Sequence, residues 1–310
     1  MLASEVQTID KQARQKSGQA GVMGKLTDYA QFIKLRLASL VVFSAVIGYF
    51  IGVREAGESS NWIQLTALIL GGFLVTGSSN GFNQIMERDL DKLMSRTQNR
   101  PLPTGRMSLR EAWIIAIVTG IIGIALLTFY TNILSGILGA TALLLYTLVY
   151  TPTKRLTPFA AFIGAFPGAI PPMLGCVAAT SGFGTISLAA LLLFAIQFMW
   201  QFPHFWAIAW VCNDDYKKAG FNLLPSPGGR DKASAFQVVI YTIFLIPVSL
   251  MPLLFHLSGI ISSMIVLVAG ILFLVQAMRL FRDCEVRSAQ KLMFGSFIYL
   301  PLVQLALLFG

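Results

Sequence analysis

The stretch NQIMERDLDKLMSRTQNRPLPTG, residues 83–105, holds the side chains best suited to chemistry. Asn83, Glu87 and Asp91 stand four residues apart, and on a helix each such step turns only about 40°. One amide and two carboxylates therefore form a single polar stripe, and Asp89 falls off it. Hard cations such as Mg²⁺ take oxygen ligands of this kind, usually one or two carboxylates together with substrate phosphates. A solvated helix end is the plainer reading of the same spacing. Arg88, Lys92, Arg96 and Arg100 interleave with these acids, and arginine forks match phosphate oxygens in bidentate fashion. Acids that hold a metal beside bases that hold phosphate are what a diphosphate leaving group requires. RPLPTG then ends the helix with two prolines and a glycine and builds a loop over the stripe.

A second cluster, VCNDDYKKAG, repeats the pattern with Asp214, Asp215, Lys217 and Lys218 and is expected to form the facing wall. The candidate metal set is thus Asn83, Glu87 and Asp91 with Asp214 and Asp215. Between the clusters lies YTPTKRLTPF, where Tyr150 and Lys154 stand four apart and Arg155 follows. GAFPGAIPPMLG at 164–175 reads as a broken membrane span, either lining a cavity or kinked for packing. His204, in QFPHFWAIAW, is either a haem ligand, a polar contact to substrate or a buried structural histidine. Trp200, Phe202, Phe205, Trp206 and Trp210 crowd the same segment and suit a flat aromatic ligand or ordinary packing against lipid. The three cysteines, Cys176, Cys212 and Cys284, have neither metal-ligand spacing nor an even count for a disulfide framework.

The elements that must carry these residues are membrane helices. Charged residues make up only 12% of the 310, about half the usual share in soluble domains, and the mean hydropathy is +0.71. Runs without Asp, Glu, Lys or Arg cover 37–53, 59–86, 112–153, 156–213, 233–278 and 292–310. A bilayer core takes roughly 20 apolar residues per helix. The three short runs then hold one span each and the three long runs two, with breaks near 129–136, 179–187 and 255–259. Nine spans place every Lys and Arg except Arg54 on one side. Positive residues stay cytoplasmic, so the N-terminus and the motif loops are expected there, in a bacterial inner membrane. The net charge of +9 is a topology signal rather than a nucleic-acid surface. Residues 1–30 lack an apolar core and read as a cytoplasmic segment with a short surface helix rather than a secretory signal; 31–310 read as one all-α membrane domain around a central cavity.

With these pieces placed, the chain resembles the UbiA superfamily of intramembrane prenyltransferases over roughly residues 30–305. Asn-x-x-x-Glu-x-Asp-x-Asp followed by Arg96-Thr97-Gln98-Asn99-Arg100-Pro101-Leu102, then YTPTKR, IGAFPGAIPPMLG and QFPHFWAIAW…DDYKKAG, are similar to the haem-farnesylating branch in order and spacing. Glu87 stands where the superfamily commonly has Asp. Val211 stands where the second motif often has its first acid, Cys176 where a Trp is usual, and the Asn usual near TPFAAF is missing. The resemblance implies farnesyl transfer from farnesyl diphosphate to a vinyl group of haem B. It implies Mg²⁺ on Asn83, Glu87 and Asp91, with Arg88, Arg96, Arg100, Lys154 and Lys218 binding diphosphate. Asp215 is expected to help hold metal or diphosphate, Tyr150 to steady charge, and His204 to meet the haem. A haem A synthase is the implied downstream partner. The rival readings are a quinone or chlorophyll prenyltransferase of the same fold, an ion-coupled transporter, and a structural haem-delivery protein.

Overall fold

A computed structural model describes residues 21–57 and 59–310; the proposed surface helix of the first twenty residues lies outside them. Among the described residues nine helices are long and apolar enough to cross a membrane. They are α1 (Leu35–Ala56), α2 (Trp62–Met86), α3 (Leu109–Tyr130), α4 (Ile133–Thr153), α5 (Ala160–Ala178), α6 (Leu188–Val211), α7 (Lys232–Leu254), α8 (Ile260–Asp283) and α9 (Val286–Phe309). No strand occurs among the described residues. The three long charge-free runs divide where their Gly, Asn, Ser and Thr residues cluster, as expected. Polar side chains mark the starts. Asn61 accepts from the amides of Ile63 and Gln64 ahead of α2, Ser108 and Glu111 form a capping box on α3, and Asn132 accepts from the Ser135 amide on α4.

Burial separates the inner helices from the lipid-facing ones. In its most apolar stretch α5 is 72% buried and α3 only 28%, so α5 is a central post and α3 a rim. Large apolar side chains left exposed, such as Ile121, Ile261 and Ile298, face where lipid must be. The reading of GAFPGAIPPMLG as a broken span is corrected here. Pro167, Pro171 and Pro172 all lie inside the continuous helix α5. Pro172 has no N–H to give to the Gly168 carbonyl four residues back, and Gln197 of α6 supplies the missing donor, Nε2 to O at 2.7 Å. A neighbouring helix repairs the ladder.

The charged loops share one end of the bundle. Arg106 pairs with Asp28 at 2.8 Å, Lys25 with Glu111 at 3.3 Å, and the 92–108 loop meets the 213–218 turn. At the opposite end Arg54 is no loose anchor. Its guanidinium donates to the carbonyls of Leu307 and Leu308, oxygens that the end of α9 leaves unpaired, and to that of Leu257 in the loop before α8.

Candidate active site

The polar stripe forms as its spacing requires. Helix α2 ends at Met86, yet the chain keeps helical bonding: the Glu87 amide donates to the Asn83 carbonyl at 2.9 Å and the Asp91 amide to that of Glu87 at 2.8 Å. Asn83, Glu87 and Asp91 are all buried and line one cavity of about 150 Å³ at the charged end. Asp89 points into solvent between Arg88 and Lys92, whose hydrogen bonds, Lys92 foremost, hold its carboxyl below the ordinary carboxylate range.

Each member of the stripe has a cation. Lys154 Nζ lies 2.8 Å from Glu87 Oε1, and Arg100 Nη1 lies 2.8 Å from Asp91 Oδ2. Lys34 Nζ donates to Asn83 Oδ1 at 3.3 Å. Burial works to strip the Lys154 proton; the Glu87 carboxylate and the Tyr150 and Tyr146 hydroxyls outweigh it and hold the amine charged. Lys34 has no such surplus of acid. Burial, reinforced by the Arg100 and Lys154 charges, lowers its amine from 10.5 to about 7.

Lys34 is the residue that the spacing did not single out. It sits between the helix over 21–32 and α1 with φ 51° and ψ 58°, a left-handed conformation that costs a residue with a side chain about 1–3 kcal/mol. Three amides of α2 hold that corner. Asn80 Nδ2 donates to the Ile33 carbonyl at 3.1 Å, Gln84 Nε2 to that of Phe32 at 2.6 Å, and Asn83 receives the lysine itself. Tyr146 and Tyr216 were missed too; both line the cavity. Tyr146 and Tyr150 belong to a stretch of α4, Leu145–Tyr150, that widens to π geometry, a distortion frequent at functional sites. Four residues apart, the two phenols share one face and both line the cavity, their ring centroids 5.2 Å apart, and Tyr150 lies beneath Lys154 at 4.8 Å.

The other predicted residues divide. Arg96 and Arg100 line the cavity, and Arg96 lies over the Tyr216 ring at 5.7 Å. Arg88 does not line it and pairs with Asp89 instead. Asp214 is largely exposed and pairs with Arg230 at 3.0 Å. Asp215 turns both oxygens to the first motif's loop, accepting from the Ser95 amide and hydroxyl and the Arg96 amide, and also takes Lys218 Nζ of its own turn, all within 3.1 Å. Those bonds, with Lys218 first, hold its carboxyl well below the usual range. The second wall therefore contributes Tyr216, Phe221 and Leu223 to the cavity, while its acids clamp the loop that carries Arg96. Among the described residues no three acid, histidine or cysteine side chains cluster as a metal cage. His204 lies apart from this cavity, buried in α6.

A fit to Mg²⁺ rests on one atom in particular. Asp91 is completely buried, and among the described residues its Oδ1 has no hydrogen-bond partner while Oδ2 takes Arg100. A buried carboxylate oxygen left bare is costly, and a hard cation is the natural partner for it. Two carboxylates and an amide are too few for a full cage but suit a metal whose remaining ligands come from diphosphate.

The fold and this paired acid–base cavity define an intramembrane transferase of prenyl diphosphates, and residues 41–300 match the UbiA prenyltransferase family. The chain belongs to that family. Relatives narrow the resemblance: a protoheme IX farnesyltransferase of Cytophaga hutchinsonii is 47% identical over 90% of this chain and 95% of its own. Another of that name, from Christiangramia forsetii, is 46% identical over 90% and 92%. A solved structure of a digeranylgeranylglyceryl phosphate synthase covers 93% of this chain and 98% of its own at TM-score 0.76 and 21% identity. A UbiA homolog from Archaeoglobus fulgidus bound to DMAPP and Mg²⁺ covers 90% and 99% at TM-score 0.62 and 15% identity. These two share the fold.

Proposed function

We propose that this chain transfers the farnesyl group of farnesyl diphosphate to a vinyl group of haem B, releasing diphosphate and forming haem O. The observation that carries the reading is the set of three cation–stripe pairs around a bare carboxylate oxygen, Asp91 Oδ1. Glu87, Asp91 and Asn83 would hold Mg²⁺, which when bound supplies charge neutralisation for the leaving diphosphate. Arg96, Arg100, Lys154 and Lys34 surround the same space; Arg100 and Lys154 can turn from their carboxylates, Lys34 from the Asn83 amide and Arg96 from the Tyr216 ring, to phosphate oxygens. Positive charge fixed where an anion develops is usually the largest catalytic term. The C–O bond of the diphosphate ester breaks towards an allylic cation, and the phenol faces of Tyr146 and Tyr150 line the wall where that cation can rest. A vinyl carbon of the acceptor bonds to C1 of the farnesyl cation. The positive charge moves to the carbon beside the pyrrole, water adds there, and one proton leaves, giving a hydroxyethylfarnesyl group. Asp215 acts on none of these atoms; it positions Arg96. In this reading the charged end is cytoplasmic and the protein is a multi-pass protein of the inner membrane, with a haem A synthase consuming its product.

Purified protein with haem B, farnesyl diphosphate and Mg²⁺ yields haem O, identified by chromatography and mass. Absence of that product, or product undiminished in Glu87→Ala, overturns the reading.

Lys34 adds a pH dependence. Burial and the Arg100 and Lys154 charges bring its amine down to about 7, and the ammonium form is the one that would bind diphosphate. The value of kcat/KM for farnesyl diphosphate therefore falls as pH is raised through about 7, with the loss mainly in KM. Lys34→Arg, which stays charged, flattens the decline, and Lys34→Met is low at every pH. A decline that survives unchanged in Lys34→Arg assigns it to another group.

A further inference from the structure

We propose that the groove between α8 and α9 at the charged end of the bundle binds an anionic phospholipid. Arg279 and Lys291 hold its phosphodiester, and Phe294 and Ile298 carry its acyl chains. The groove shares no lining residue with the diphosphate cavity and has a volume of about 450 Å³.

Helical phase builds the groove. Gln276, Arg279 and Asp283 stand three and four apart on α8, as do Ser288, Lys291 and Gly295 on α9, so each helix gives it one stripe. Lys232, which opens α7 after the second motif's loop, lies over the Phe281 ring of α8 at 5.4 Å and fixes which end this is. Arg279 lies four residues inside the end of α8 and Lys291 five inside the start of α9, roughly 6–8 Å into the spans. An orientation signal needs basic residues beside the loop, and Arg282 and Arg287 already stand there. It does not need two further cations brought to one groove from adjacent spans.

Charge in the groove is unbalanced. Its one acid, Asp283, accepts from Arg282 Nε at 2.7 Å through Oδ1 and from the Ser288 hydroxyl at 3.0 Å through Oδ2. Arg279 and Lys291 make no hydrogen bond or ion pair among the described residues. A phosphodiester offers these two cations one negative charge and two free oxygens. A zwitterionic headgroup brings its own cation to the same place, so the groove selects lipids with net negative charge.

The lower part of the groove fits a lipid rather than free phosphate. Gln276 lies one turn below Arg279. Its Nε2 makes no hydrogen bond among the described residues and is not fully enclosed, which leaves it a donor for an ester carbonyl of the lipid's glycerol backbone. Gly295 makes room for this amide, since a Cβ there overlaps Gln276 Oε1. Phe294 and Ile298, 62% and 68% exposed, continue the α9 wall with apolar surface. Acyl chains cover that surface; a phosphate ion leaves it bare.

Thermal unfolding of the intact protein in detergent tests the site. Phosphatidylglycerol raises the midpoint saturably, as a ligand of the folded state does. Phosphatidylcholine with the same chains, and inorganic phosphate at the same concentration, do not. The double variant Arg279→Gln, Lys291→Gln weakens phosphatidylglycerol binding by about tenfold or more. This is read as the lipid concentration at half-maximal shift and, independently, as bound lipid retained in native mass spectrometry. Arg287→Gln, which removes an exposed cation of α9 outside the groove, leaves both readings unchanged. Equal shifts from phosphatidylglycerol and phosphatidylcholine overturn the proposal in wild-type protein alone, whether or not the double variant folds. A shift from inorganic phosphate as large as that from the lipid overturns it in favour of a free-anion site. A double variant that responds like wild type, or Arg287→Gln that loses the response as fully, overturns the assignment of Arg279 and Lys291.

Discussion

Asp91→Asn lowers kcat/KM for farnesyl transfer by about 10²- to 10³-fold, the usual effect of removing one preorganised group that stabilises charge developing in a transition state. Asp91 is the most buried member of the stripe, and its side chain is fully enclosed against 19% exposure for its partner Arg100. Asparagine keeps the shape and a carbonyl oxygen for Arg100. It removes the charge that a hard cation needs from the bare Oδ1 and replaces part of the ligand set with an amide. The loss falls mainly on kcat, because the missing interaction grows as the C–O bond breaks. Isothermal titration with Mg²⁺ and inorganic diphosphate separates this from misfolding: Asp91→Asn loses the Mg²⁺-dependent part of diphosphate binding while its thermal unfolding stays close to wild type. Asp91→Ala is harsher, since it leaves the Arg100 guanidinium partly buried without a partner, a change that costs about 3–5 kcal/mol in other proteins. Asp89→Asn, two residues away but in solvent, leaves activity near the wild-type value. Full activity in Asp91→Asn removes this carboxylate from the mechanism.

The contrast between Asp91 and Asp89 was legible in the sequence because helical phase alone separates them. The nine spans were legible for an equally simple reason: uncharged runs of this length have no other economical reading in a chain so poor in charge. Family motifs then supplied the substrates, which no periodicity could. Lys34 shows where this kind of reading stops. Any basic residue at the head of a span is already explained by an orientation signal, so nothing in FIKLRL marks one lysine as turned into a cavity. Only the corner at φ 51°, held by Asn80 and Gln84 from another helix, turns it inward. The acids of the second motif fail for a related reason. Asp214 and Asp215 are adjacent, and which of them faces the first motif depends on the turn at Cys212, with φ −93° and ψ 10°. The three prolines of α5 mislead because the donor that repairs the helix, Gln197, is twenty-nine residues away from Gly168 in sequence.

Gly175→Ala sharply lowers the thermal unfolding midpoint, although alanine in place of glycine within a helix ordinarily stabilises by about 0.5–1 kcal/mol. A Cβ built on Gly175 overlaps the Ala45 carbonyl oxygen and lies 2.8 Å from the Tyr49 amide nitrogen. The reciprocal contact is as tight, since a Cβ on Gly48 overlaps the Pro172 carbonyl oxygen. The obstacle in both cases is backbone, which cannot rotate away as a side chain tip can. Helices α1 and α5 must therefore separate, giving up the close approach that small residues allow between membrane helices. The same interface holds the Cys176 thiol 3.0 Å from the Gly48 carbonyl. The cost exceeds the 1–3 kcal/mol typical of added methylenes in a core that can adjust. Gly48→Ala has the same effect, and the double variant loses less than the sum, because a separation forced by one methyl accommodates part of the other. The consequence reaches the site: α1 carries Lys34 at its head and α5 accepts Gln197 and Gln201 of α6. Displacing either helix moves the lysine away from Asn83 and raises KM for farnesyl diphosphate in whatever protein remains folded. Thermal denaturation in detergent, followed by kinetics on the folded fraction, reads both effects. A midpoint at or above wild type in Gly175→Ala shows that the two backbones do not pack as tightly as these distances require.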